Sequence, residues 1–418
     1  MNNLTKPRGT IDYDDKKLKL LKLIEKTLLN LANKNNYSQV QTPCFEAKEL
    51  FVDAIGKENE IVYKQMFFVN NSKQKEQKYV LKPENTASIV RYIVEKKFLF
   101  NCEELKIAYF DKFFRYERPQ NNRLREFYQF GVEIFQNKHY LVDIEAILFA
   151  FKCLKALKIK EDLILVINYL GTNNSRQAYL KDLKKSLLTI KSKLCLFCQK
   201  RLNTNLLRVL DCKLESNNFD NIPLINNYWT LKEKQYFLKV IEILKTLKIN
   251  LKIEYKLVRG IDYYNGVVFE ICLANNLKSA LVGGGRYDNL VQKISQSIQK
   301  DAIGFAIGIN RILSLTNLKI KKQNSINIVF IALDLQSYLF CLKTKEDLIN
   351  NDLKACLYFC ENLKLKKYFK IANNLKARFI CVVSKNDLAQ KKVTIKNYQS
   401  KKIINLDNIL NFLLENND

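Results

Sequence analysis

Glycine is scarce in this chain of 418 residues, and it is clustered: seven of the 11 glycines lie between Gly260 and Gly308. A retained glycine marks backbone that needs a positive φ or tolerates no Cβ, so close backbone approach is expected to be concentrated there. Arginine follows the same pattern. Only 13 of the 70 basic residues are arginines, and four of them fall between Arg115 and Arg125. Lys, Asn, Ile, Leu, Phe and Tyr are used so heavily that the composition reads as drift toward AT-rich codons. Against that background a kept arginine points to a need for planar, two-pronged donation.

Composition narrows the classes. Hydrophobic residues at 47% and charged residues at 27% are globular values, which excludes wholesale disorder. The length predicts two or three domains. No apolar run approaches the roughly 20 uncharged residues of a membrane span, and Met1–Thr10 lacks the apolar stretch of a secretory signal. Eleven cysteines, an odd number too sparse for a disulfide scaffold, suggest a reduced, cytoplasmic setting. The single histidine, His139, removes Ser-His-Asp and Cys-His catalysis unless His139 itself serves, and it removes His-rich metal sites. A net charge of +28 points to nucleic acid. That charge is diffuse, with residues 326–418 carrying 15 basic against 9 acidic side chains, so codon drift alone remains an alternative.

Periodicity organises the chain. Leu18, Leu21, Ile24, Leu28 and Leu31 predict a helix within 14–35. Residues 37–46 read as a short strand stopped by Pro43, 65–69 and 78–82 as a hairpin, and 85–100 as a helix with Asn85 or Thr86 near its cap. Strands at 107–117 and 127–136 flank the polar loop 118–126. Residues 168–250 read as a mainly helical insertion. Strands follow at 267–273 and 279–283, then helices starting near Arg286 and Gly308. Beyond a basic linker at 317–325 come a strand at 326–333, two helices, strands at 378–384 and 392–398, and a helix from Asn405, a separate α/β domain.

Four segments gather polar chemistry. In FRYERPQNNRLREFYQFGVE (114–133) a period of two puts Arg115 and Glu117 on one face, and Phe127, Gln129 and Glu133 on one face. Arginines suit phosphate oxygens, an aromatic ring can stack on a base, and Gln129 and Glu133 suit an ammonium; a solvated hairpin laced with salt bridges is the other reading. LVRGIDYYNGVVFE (257–270) sets Arg259 beside Tyr263 and Tyr264, either for an anion next to a flat polar ring or as a packed turn. LVGGGRYDNL (281–290) is too irregular to stand alone as a phosphate loop. AIGFAIGINRIL (302–313) puts Arg311 on a helix, or is a plain strand–helix junction. Cys195 and Cys198 with Cys212 could suggest zinc, but one CxxC with a third cysteine and no fourth ligand is too weak a pattern to assign a metal to protein side chains.

Together these segments resemble the class II aminoacyl-tRNA synthetases and, within them, the histidyl-tRNA synthetase family of bacterial type. KPRGT (6–10), QTPCFE (41–46), LKPENTA (81–87) and the four segments above follow the family's order, and the resemblance extends through 168–183 and 195–213 to 366–384. It implies an α+β fold: an antiparallel sheet flanked by helices in a catalytic domain, 1–322, holding the helical insertion 168–250, and an anticodon-binding α/β domain, 326–418. It implies a ligase that activates L-histidine with ATP and Mg2+ and charges tRNA(His), as a cytoplasmic homodimer. By motif, Arg115 would bind the α-phosphate, Arg259 would lie between carboxylate and phosphate, and Arg123 and Arg311 would hold the outer phosphates. Glu117 would read the adenine amino group and Phe127 would stack. Glu84 and Tyr264 would meet the imidazole nitrogens, Tyr263 would line the pocket, and Thr86, Gln129 and Glu133 would orient the α-amino group. Arg118 and Gln120 would contact the tRNA acceptor end.

The chain departs from the family pattern at a few positions. Lys82 stands where Arg is usual, Asn85, Asn122 and Asn289 where Gly is usual, and Asn310 where an acid is usual. Asn is expected to preserve a positive φ at the three former glycine positions. Three rivals stay open on sequence: a regulatory subunit of the histidine-biosynthetic phosphoribosyltransferase, a synthetase for proline, threonine or glycine, and a tRNA-binding module without chemistry.

Overall fold

The computed structural model describes residues 4–69, 78–99, 103–118, 123–212, 219, 221–320, 326–360, 364–397 and 400–416. Two compact units result, residues 1–319 and 320–418. Among the described residues no helix is long and apolar enough to cross a membrane.

The first unit is built on an eight-stranded sheet in the order Ser38–Gln39, Leu105–Phe114, Glu126–Phe135, Ala302–Gly308, Asn276–Arg286, Asn265–Leu273, Leu163–Tyr169, Leu251–Ile253. The six inner strands are antiparallel and each outermost strand joins in parallel. Branched and aromatic residues make the central hairpin, which pairs without interruption from Leu105↔Phe135 to Phe114↔Glu126. Alternation then serves both faces. Ala108, Phe110, Phe130, Val132 and Ile134 pack against the helices Asp15–Asn33, Tyr140–Ala156 and Leu231–Thr246. Ile107, Tyr109 and Phe113 turn to the opposite face, where Lys48–Ile55, Thr86–Glu95 and Asn173–Thr189 cover part of the sheet and leave the rest open.

Several local expectations change. The 37–46 strand is two strands on different sheets, because Pro43 interrupts the run: Ser38–Gln39 joins the main sheet and Phe45–Ala47 joins Phe67–Val69 and Tyr79–Leu81. No helix starts at Arg286. The strand runs through it to bury its guanidinium between Asp143 at 2.5 Å and Asp288 at 3.0 Å, and the helix is Leu290–Ser295. Asp143 is distant in sequence, so that ion pair leaves no local trace. At the borders of the 168–250 stretch, Asn168 and Tyr169 finish a sheet strand and Leu231–Thr246 is a core helix with a Thr230/Glu233 capping box.

The second unit has a five-stranded sheet in the order Ala355–Phe359, Ile328–Ala332, Phe379–Val383, Lys392–Lys396, Lys401–Asn405. Ile328–Ala332, parallel to both its neighbours in this mixed sheet, is wholly buried, as an uninterrupted apolar run between parallel strands should be. The two edge strands, Ala355–Phe359 and Lys401–Asn405, escape the sequence reading. The first shows no alternation, and the second is masked by the exposed lysines that protect a sheet edge.

Candidate active site

The open face of the main sheet forms the floor of a cavity of about 410 Å³. Small residues pave its centre: Gly131, Ala306, Gly308 and Gly283 lie on this face, in register with one another or with the residues that wall it. Three large side chains each lie across a glycine of the neighbouring strand. Tyr109 pairs with Gly131, Glu133 with Gly304 and Glu270 with Gly283. A Cβ on Gly131 would come within 2.3 Å of Tyr109, and one on Gly304 within 1.8 Å of the Glu133 carboxylate. A Cβ on Gly283 would fall 2.0 Å from Arg259, whose guanidinium crosses that glycine to pair with Glu270. The glycine run is therefore sheet floor rather than a phosphate loop.

Cations line the walls. Arg115, Arg123, Arg259 and Arg311 all face the cavity. Arg115 and Glu117 reach it from beyond the end of Leu105–Phe114, held by the backbone bonds Arg115 N–H to Arg125 O and Glu117 N–H to Arg115 O, so strand alternation does not place them. Arg115 Nε donates to Pro83 O at 2.8 Å, and its guanidinium lies 5.5 Å from the Phe127 ring centroid. Arg123 stands 3.6 Å from Glu117, and Arg311 donates to Ala280 O. Burial, and then the like charge of Arg123, push the Arg311 pKa down. Among the described residues no carboxylate forms an ion pair with Arg115 or Arg311. These guanidinium groups face a cavity in which an anion would relieve their repulsion.

The acidic end is buried. Glu84 accepts from the backbone N–H groups of Thr86 at 2.8 Å and Ala87 at 3.0 Å, closing the N-terminus of Thr86–Glu95. The Tyr263 hydroxyl, rather than that of Tyr264, donates to Glu84 at 3.2 Å. Glu133 accepts from Thr86 Oγ1 at 2.7 Å, from Tyr109 and from Tyr287. Burial, only partly offset by these bonds, raises its pKa to about 8. Tyr263 and Tyr264 lie with ring centroids 4.8 Å apart and planes inclined at 49°, and burial lifts the Tyr264 phenol to about 12. Phe127 and Gln129 line the cavity on the strand that also carries Glu133.

Eleven of the 14 expected site residues line this one cavity, and Glu133 lies directly beneath it. Arg118 is exposed and outside the lining, and Gln120 falls outside the described residues. Sequence reasoning missed Tyr109, Tyr287 and Glu270. Their signal was weak: Glu270 ends the 257–270 segment and Tyr287 sits within LVGGGRYDNL, but nothing local ties Tyr109 to Glu133.

The departures also have physical reasons. Lys82 is fully buried and gives its ammonium to Asp111 at 2.5 Å and to Thr42 O and Oγ1 at 3.1 and 3.0 Å, so three donors meet three acceptors. Asn85 and Asn289 have φ of −111° and −94°, so neither uses the left-handed region expected of a former glycine. Asn85 instead accepts from Thr42 Oγ1 at 2.7 Å. Asn122 lies outside the described residues. Asn310 accepts from Tyr128 N–H at 2.8 Å and donates to the Tyr13 hydroxyl at 2.7 Å, a joint rather than an acid. His139 caps Tyr140–Ala156 through Nδ1, and the Trp229 indole donates to Tyr169 O at 3.2 Å.

Comparison with known proteins assigns the family. Residues 9–173 and 215–312 match the family model described as histidyl-tRNA synthetase, and residues 326–416 match the one described as anticodon binding domain. The histidine–tRNA ligase of Mycoplasma mycoides is 36% identical over 95% of this chain and 96% of its own, and that of Bacillus subtilis 35% identical over 94% of each. The apo structure of the Staphylococcus aureus histidyl-tRNA synthetase superposes with a TM-score of 0.76 at 28% identity, covering 98% of this chain and 99% of that one. The small-residue floor, the guanidinium walls and the buried acids thus belong to a chain of the histidyl-tRNA synthetase family.

Proposed function

We propose that this cavity joins L-histidine to ATP, giving histidyl-adenylate and diphosphate, and then passes the histidyl group to the 3′-terminal ribose of tRNA(His). The observation that carries the reading is the meeting of Arg115, Arg123, Arg259 and Arg311 with the buried Glu84 in one cavity, Glu133 lying beneath it. The chemistry sets one anion against another, so fixed cations must hold the carboxylate in line and take up charge at phosphorus. Arg115 binds the α-phosphate. Arg259, braced by Glu270 and given room by Gly283, sits between carboxylate and phosphate. Arg123 and Arg311 take the outer phosphates of a bent ATP. Glu117 reads the adenine amino group, and the base stacks on the face of Phe127 that Arg115 leaves free.

Glu84 and Tyr264 engage the two imidazole nitrogens, Tyr263 holds Glu84, and Thr86, Gln129 and Glu133 receive the α-ammonium. Requiring partners at both ring nitrogens rejects side chains that would leave these buried groups unpaired. The histidine carboxylate oxygen bonds to the α-phosphorus as the bond to diphosphate breaks. The tRNA hydroxyl then bonds to the acyl carbon as AMP leaves, its proton passing to a phosphate oxygen, so no protein base is needed. Mg2+ fits as the nucleotide's companion: it would sit on the phosphate oxygens that the cavity's arginines draw in and neutralise charge there, with no protein carboxylate assigned to it. Residues 326–418 serve as the anticodon-binding domain and Arg118 and Gln120 as contacts to the acceptor end. The enzyme works as a cytoplasmic homodimer.

Histidine-dependent exchange of labelled diphosphate into ATP tests the assignment. Exchange with histidine and not with proline, threonine or glycine is expected. Exchange with proline instead, or with no amino acid, would overturn it.

A further inference from the structure

Outside the cavity, the segment from Cys195 to Cys212 brings three thiols together. Their sulfurs all lie within 4.8 Å of one another, and those of Cys195 and Cys212 are 3.9 Å apart. Among the described residues this is the only group of three or more potential metal ligands. Two thiolates on one tetrahedral zinc, each at about 2.3 Å, stand roughly 3.8 Å apart. A disulfide would require the pair to close to about 2.05 Å. The local chain offers little internal support, because between 190 and 212 its helical pieces, Lys191–Lys193, Leu196–Arg201 and Leu206–Val209, have three, six and four residues. Pieces that short do not hold themselves in water.

We propose that Cys195, Cys198 and Cys212 bind one zinc ion as thiolates, with solvent in the fourth position, and that this ion fixes one wall of the catalytic cavity. Soft sulfur ligands select zinc over hard cations. The link to the cavity is short. Arg201 donates to Arg208 O at 3.0 Å and to Glu60 at 2.5 Å, and Arg208 pairs with Asp211 at 2.9 Å, next to Cys212. Arg208 and Asp211 line the cavity, and Arg208 packs so closely on Gly260 that a Cβ there would lie 2.7 Å from it. Asn205 donates to Asp262 at 2.6 Å. The metal therefore sets the chain that presses on the 257–270 segment.

Cobalt titration of the full chain, reduced and stripped by chelator, tests the site. One equivalent of Co²⁺ should give sulfur-to-cobalt charge-transfer and tetrahedral ligand-field bands, and one equivalent of Zn²⁺ should erase them. Cys195→Ser, Cys198→Ser and Cys212→Ser should each weaken or abolish the bands, whereas Cys356→Ser keeps them. Absence of the bands in the wild-type chain, or their survival unchanged in all three variants, overturns the site. So does a Cys195–Cys212 disulfide formed with oxidised glutathione in a chain that takes up no metal. This titration is independent of the catalytic reading. The coupling rests on that reading: chelation should raise KM for histidine severalfold in the exchange assay and speed tryptic cleavage after Lys200 and Arg201, both reversed by zinc. A stripped chain unchanged in both measurements overturns the coupling while leaving the catalytic reading intact.

Discussion

Codon drift makes single residues legible in this chain. Lysines occupy left-handed positions just after helices, at Lys97, Lys158, Lys248, Lys376 and Lys391, with φ between 51° and 58°. Each position disfavours an L residue by about 1–2 kcal/mol, and glycine would be the ordinary choice. At these five positions the chain uses lysine where φ alone would favour glycine. Gly131, Gly283, Gly284 and Gly304, none at positive φ, are kept where a Cβ would strike a neighbour. Arginine obeys the same logic. Arg259 replaced by alanine should lower histidine-dependent exchange by about 10²–10³-fold, the usual effect of removing one preorganised transition-state donor, with little change in Tm. Exchange within tenfold of wild type would remove Arg259 from the mechanism. Glu133 yields a second prediction. Its pKa of about 8 in the folded chain, against 4.5 for an ordinary glutamate, means that folding stability falls as pH rises from about 4.5 to about 8 and levels off above. An α-ammonium beside it favours the carboxylate, so at pH 7 histidine binding should expel close to one proton. Calorimetry in buffers of different ionisation enthalpy reads that number directly. Release of no more than about a quarter of a proton, which is what the imidazole alone supplies, would sink the contact.

At the scale of elements, pairing a large side chain with a glycine across the ladder separates two kinds of substitution. In Gly283→Ala the new Cβ meets the far end of Arg259, a side chain that can swing aside. Exchange should then fall nearly as far as in Arg259→Ala, with Tm within a few degrees of wild type. In Gly284→Ala the Cβ meets Gly304 O at 2.5 Å, Phe305 Cβ at 2.6 Å and the buried Phe269 ring at 2.8 Å, none free to leave. Thermal unfolding should shift down by several degrees, because overpacking a core costs about 1–3 kcal/mol. Equal Tm losses in both variants would mean that Arg259 is fixed as rigidly as the backbone. This register also marks how far sequence reading reaches. Phe127, Gln129 and Glu133 declared a common face through plain alternation. Arg115 and Glu117 came to the site by motif although their strand ends at Phe114. Arg286 was misassigned because its partner Asp143 lies on a distant helix, and Ala355–Phe359 was missed because a half-buried edge strand has no period to read.

The whole molecule divides its work. The unit 1–319 contains every described residue of the proposed chemistry and its own cores, while 320–418 has separate cores around Ile328–Ala332. If the first unit activates histidine and the second holds the anticodon, residues 1–319 expressed alone should keep histidine-dependent exchange within severalfold of the full chain while losing most tRNA(His) charging at low tRNA. Salt gives a sharper distinction. Residues 326–418 carry 15 basic and 9 acidic side chains spread along the sequence, a pattern suited to phosphate contacts that position the partner without reading it. Each such contact contributes a slope of about −0.7 to −0.9 in log affinity against log salt. The KM for tRNA(His) in the full chain should therefore climb steeply between low and physiological salt while the KM for histidine barely moves, and the slope for tRNA should be shallower in the shortened chain. Identical slopes in the two chains would place the phosphate contacts on the catalytic unit and leave the net charge of the second unit to codon drift.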